Sequence, residues 1–151
     1  MSTKQNDPFD LERFVKAQDN VYQQVLSELQ KGKKTTHWIW YIFPQIDGLG
    51  VSSISKFYAI KSEEEAQAYL KHPVLGERLL ECSEILWTLE GKTASQIFGF
   101  PDDLKLKSSM TLFDYCSEEN SIFHQILAMY FGGRRDEQTL KILKELQKTP
   151  T

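Results

Sequence analysis

An all-α fold is predicted for this chain: a compact, single-domain orthogonal bundle of about seven or eight helices with little or no strand. Three observations predict it. Apolar residues recur three and four positions apart through most of the sequence. Ser, Thr, Asp or Asn stands before these runs, and Gly or Pro stands after them, which are helix start and stop signals. No heptad persists, so the helices are predicted to cross one another in a globule and not to coil together.

The elements follow in order. Asp7 or Asp10 is placed to cap a first helix carrying Phe9, Leu11, Phe14 and Val15. Asp19 or Asn20 then reads as a fresh cap, followed by Val21, Tyr22, Val25, Leu26 and Leu29 at helical spacing and by a Lys31-Gly32 stop. Thr35 or Thr36 can cap a short helix from His37 to Phe43, halted by Pro44. Strand is the rival reading there, because the run is β-branched and aromatic. QIDGLGVSSIS, with two glycines and three serines, reads as a loop, and KFYAI as extended chain or one helical turn.

Ser62 opens a helix with Glu65 three residues on and three glutamates in the first turn, running to His72 before Pro73. Pro73 suits the first position of the next helix, whose broad apolar face includes Val74, Leu75, Leu79, Leu80, Cys82, Ile85, Leu86 and Leu89, closed by Gly91. Thr93 caps a short turn through Phe98, ended by Gly99. Pro101 and two aspartates start a helix through Leu104, Leu106, Met110, Leu112 and Phe113. Asn120 or Ser121 caps SIFHQILAMYF before a glycine pair, and Asp136 caps the last amphipathic helix with Leu140, Ile142, Leu143 and Leu146. Residues 7–148 are expected to form the domain, with 1–6 and 149–151 frayed.

Composition narrows the function. A net charge of −3 with mixed signs disfavours nucleic-acid binding, which needs phosphate neutralisation. No apolar run suggests a membrane span, and MSTKQNDPFD lacks a signal-peptide core, so a cytoplasmic, soluble protein is expected. Cys82 and Cys116 match no paired motif and read as reduced apolar residues. His37, His72 and His124 lie far apart without ligand spacing, so no metal and no cofactor is expected.

Four stretches, FDLERFVKAQ, HWIWYIFPQIDGLGVSSISKFYAI, EAQAYLKHPVLGERL and IFGFPDDLKLKSSMTLF, resemble the signatures of domain-of-unknown-function family 1810. The resemblance runs from about Asp7 to Leu143. It implies an all-α, single-domain cytoplasmic fold. It implies no activity and transfers no catalytic residue.

Two segments could carry chemistry. In the first, a helical turn with Trp40 runs into a loop bearing Gln45, Gly48, Gly50 and Ser52, followed by Ser55 and Tyr58. Glycines let backbone approach a ligand, serines supply hydroxyls, and indole and phenol rings make pocket walls. His37 is the candidate acid–base group. Trp38, Ile39, Ile42 and Phe43 read as core. In the second, Lys105, Ser108, Ser109 and Thr111 crowd polar groups onto one helix: an anion clamp, or simply a solvated face. If the segments meet, they would form a pocket for a small anionic, nucleotide-like ligand. The alternative is a non-catalytic protein–protein interaction module, with Trp40, Tyr41 and Phe57 as an exposed patch.

Overall fold

The computed structural model describes residues 7–148, and the termini expected to fray lie outside these. Among these residues ten helices follow one another: α1 Glu12–Asp19, α2 Tyr22–Lys31, α3 Ile39–Ile42, α4 Ser53–Tyr58, α5 Glu63–Lys71, α6 Leu75–Thr88, α7 Ala94–Phe98, α8 Asp102–Tyr115, α9 Ile122–Phe131 and α10 Glu137–Lys148. No strand is present among the described residues beyond one isolated parallel bridge, Ile46 to Ile60. The fold is all-α as predicted, with more helices than the seven or eight predicted because α4 and α7, each only a turn or so long, are helices in their own right.

Helix starts are set mostly by local side chains. Ser62, Thr93 and Ser121 each accept the N–H three residues on, and Thr93 with Gln96 completes a reciprocal capping box. Asp7, not Asp10, satisfies the first helix: its carboxylate accepts from Leu11 N at 2.7 Å and Glu12 N at 2.9 Å. The cap expected at Asp19 or Asn20 is absent. Val21 holds that position without a side-chain bond, and Asp19 pairs with Arg78 at 3.0 Å. His72 caps α6 through Nδ1, accepting from Val74 N and Leu75 N, and the helix ends at Thr88, short of Gly91. Gly32 ends α2 at φ 72°, a left-handed turn that a side chain would strain.

The central helix is α8. Leu106, Met110, Leu112 and Phe113 are buried in it, and so are Ser108, Ser109, Thr111 and Asp114. It packs against α3, α5, α7, α9 and α10, leaving little of its girth for solvent. One apolar cluster extends from Leu11 to Leu143 around it. Through this cluster runs a chain of rings, Phe14 to Tyr69 at 5.1 Å, Tyr69 to Phe113 at 5.4 Å and Phe113 to Phe123 at 5.8 Å. Each such ring, fully buried, contributes roughly 1.5–3 kcal/mol of transfer free energy.

Candidate binding site

Glu28 decides where the aromatic segment begins. This buried carboxylate on α2 accepts from Thr35 N, Thr36 N, Thr36 Oγ1, Trp38 Nε1 and Gln24 Nε2, at 2.6–3.0 Å. Thr35 and Thr36 are therefore drawn to Glu28 and do not cap α3, which starts at Ile39 with no side-chain cap. The predicted helix from His37 to Phe43 shrinks to one turn. Ile39 and Ile42 face the core while Trp40 and Tyr41 are half-buried.

Beyond Pro44 the chain folds back on itself. Ile60 N donates to Gln45 O and Asp47 N to Ile60 O, both at 2.8 Å, closing residues 47–59 into a compact loop. α4 takes up the end of the stretch expected to be loop and the start of KFYAI, where one helical turn was an alternative; it is begun by Ser52, whose Oγ accepts from Ser55 N and lies 2.5 Å from Ser55 Oγ. Under this loop is a hollow of about 20 Å³, room for a water or one small polar group. Trp40, Gln45, Gly48, Gly50, Ser55 and Tyr58 line it, and Ser52 stands beside it at the α4 cap. Among the described residues the Trp40 indole N–H, the Gln45 amide and the Tyr58 hydroxyl form no hydrogen bond. Burial, then the nearby Tyr58, pushes the Tyr41 phenol pKa upward, so it stays neutral.

The second segment reaches this place through one residue. The Lys105 ammonium lies 5.0 Å from the Trp40 ring centre and 3.4 Å from Asp102 Oδ1. The other oxygen of Asp102 holds Lys34 at 2.7 Å, and Lys34 in turn lies 5.2 Å from the Trp38 ring. One carboxylate thus bridges two lysines, each over a tryptophan. Ser108, Ser109 and Thr111 do not join them. Ser108 Oγ donates to Leu104 O, and Thr111 Oγ1 donates to Lys107 O and accepts from Asp136 N. Ser109 Oγ is buried without a partner. The helix face expected to be either solvated or a clamp is core, because five helices surround α8. His37 stands exposed, its carbonyl accepting from Tyr41 Oη at 3.4 Å and its imidazole unbonded among the described residues.

Glu28, Lys34 and Asp102 were not singled out as site residues. Glu28 had left a signal: it falls on the Val25, Leu29 and Gly32 stripe of α2, where a carboxylate must find partners. Both cysteines are free thiols, each pushed up to about 12, chiefly by burial. Among the described residues no group of acidic, His or Cys side chains could hold a metal, and no helix is long and apolar enough to cross a membrane.

Residues 8–143 match the family described as "Protein of unknown function (DUF1810)". No curated protein matches the chain significantly. Among solved structures the chain is similar to the conserved hypothetical protein Rv1873 from Mycobacterium tuberculosis, whose crystal structure extends to 1.38 Å. The two are 51% identical with a TM-score of 0.90, over 91% of this chain and 99% of that one.

Proposed function

Since this chain belongs to the DUF1810 family of proteins of unknown function, its role has to be read from its own surface, and we propose that it binds a small anionic group at the hollow between Trp40 and Tyr58. The observation that carries this is the set of groups left without protein partners: an indole N–H, an amide and a phenol at one concavity, beside the ammonium of Lys105 on the Trp40 ring. The hollow is far below the roughly 300 Å³ that encloses a drug-sized ligand. A single phosphate or carboxylate at its mouth suits it, with the remainder of a nucleotide-like molecule lying outside. Binding without turnover is the form we favour. Among the described residues the His37 imidazole has no hydrogen-bond partner to fix its tautomer and orientation, as an acid–base group needs. The two free thiols support a cytoplasmic setting.

Titration of the labelled protein with inorganic phosphate and nucleoside monophosphates tests this by NMR. The Trp40 indole N–H resonance should move saturably, and Lys105→Ala should weaken the binding severalfold. An indole resonance that never moves, or unaltered binding by Lys105→Ala, ends the proposal.

A second reading, a protein–protein interaction module, is favoured by the outer edge of α4. Val51, Ile54 and Phe57 are 89%, 41% and 55% exposed, more than a stray apolar residue.

A further inference from the structure

On that interaction reading rests a more specific one. The exposed edge of α4 borders an open groove of about 510 Å³ between α1 and α4. Phe57 and Tyr58 line it from α4, and Asp10, Glu12 and Lys16 from the α1 side. Its two walls are riveted together. Arg13 donates from α1 to Phe57 O at 2.8 Å and Ala59 O at 3.0 Å beyond the end of α4, and to Glu65 Oε2 on α5 at 2.7 Å. Tyr58 is held from behind by Phe14 at 5.8 Å and Tyr41 at 5.3 Å. A groove fixed in this way needs no ordering when a partner arrives, which lowers the cost of binding.

Its rim is charged and uncommitted. Among the described residues the side chains of Asp10, Glu12 and Lys16 form no ion pair and no hydrogen bond; the Asp10 carbonyl and the Glu12 amide are bonded to Arg13 and Asp7. Arg13 is neutralised by Glu65, so two carboxylates against one ammonium leave the rim one charge negative. We infer that the α1–α4 groove docks a short cationic amphipathic segment of another protein, an apolar anchor seating on Phe57 and Tyr58 and a Lys or Arg meeting Asp10 and Glu12. The acidic rim argues against an anionic membrane surface. The three exposed apolar residues, Val51 before α4 and Ile54 and Phe57 on it, alone fall well short of the roughly 800 Å² per partner that a stable dimer buries.

The test titrates the full chain with a synthetic amphipathic Leu/Lys peptide, with the same peptide carrying Glu for Lys, and with phosphatidylserine vesicles. The Leu/Lys peptide should shift the resonances of Lys16, Phe57 and Tyr58 saturably. Phe57→Ser should weaken it by about tenfold or more. The double variant Asp10→Asn, Glu12→Gln should weaken it severalfold and flatten its salt dependence, and this variant carries the test should Phe57→Ser not fold. Equal binding of the Glu peptide or of vesicles overturns the partner chemistry. Absence of any shift with either peptide overturns the interaction reading at this surface as well. A concentration-dependent dimer abolished by Phe57→Ser would give the groove to a second copy and overturn the inference.

Discussion

The indole of Trp38 donates to the carboxylate of Glu28 at 2.9 Å, and both residues are almost wholly buried. Five hydrogen bonds from four neutral residues hold this charged group in the interior, and among the described residues it has no cation partner. Burial by itself would raise its pKa. The bonds from Thr36, Gln24 and the Thr35 and Thr36 amides outweigh burial and hold it well below the usual carboxylate range.

Glu28→Gln keeps the shape but replaces one acceptor oxygen with a donor facing other donors. It should cost about 3 kcal/mol at pH 7, read by urea denaturation. The sign of the pH dependence follows from a folded pKa below the unfolded value of roughly 4.3. The carboxylate's contribution is full above that value and is lost as pH falls. The gap between wild type and Glu28→Gln should therefore narrow towards pH 3, and a constant gap would show that packing and not ionisation is at stake.

Lys34 and Lys105 share Asp102 but should respond differently to removal. The Lys34 side chain is 5% exposed and pairs at 2.7 Å. Lys34→Met strands part of a shielded carboxylate and should cost about 3 kcal/mol. Lys105 is more open, at 3.4 Å, and Lys105→Met should cost less than about 1 kcal/mol in thermal unfolding. Equal losses would mean that Asp102 belongs to both lysines alike.

How much of this was legible depended on the range of the cause. Ser62, Thr93 and Ser121 were readable as caps because donor and acceptor lie three residues apart. The grouping of Trp40, Gln45, Gly48, Gly50, Ser55 and Tyr58 is likewise a property of one short segment. The length of α3 was not legible, since Glu28, on the preceding helix, dictates its start. Nor was the burial of Ser108, Ser109 and Thr111, which depends on helices that precede and follow α8 in the sequence. Lys105 over Trp40 is a contact between distant segments that no local pattern encodes.

Ser109 and Thr111 separate a buried hydroxyl without a partner from one in use. Ser109 Oγ has no hydrogen bond, so Ser109→Ala should raise stability by about 1 kcal/mol by removing an unsatisfied group. Thr111 Oγ1 accepts from Asp136 N at 2.9 Å where the chain enters α10. Thr111→Val leaves that amide unpaired and should lower stability by about 2 kcal/mol. Denaturant midpoints of the two variants should move in opposite directions. A loss in Ser109→Ala would point to a bound water there.

Of the glycines, Gly76 sits closest to neighbouring backbone. A Cβ at this position would lie 2.2 Å from Leu70 O, in the backbone of the neighbouring helix. The oxygen cannot rotate away as a side chain would, so α5 and α6 would have to part. Tyr69 and Leu75, both fully buried at this crossing, would lose contact with the core. Gly76→Ala should therefore cost about 3 kcal/mol or more although Ala is the better helix former by about 1 kcal/mol. Gly91→Ala meets nothing within 4 Å, and its cost should reflect only the φ of 73°. Comparing the two by thermal unfolding isolates helix contact from backbone conformation; the contact argument fails if the losses are equal.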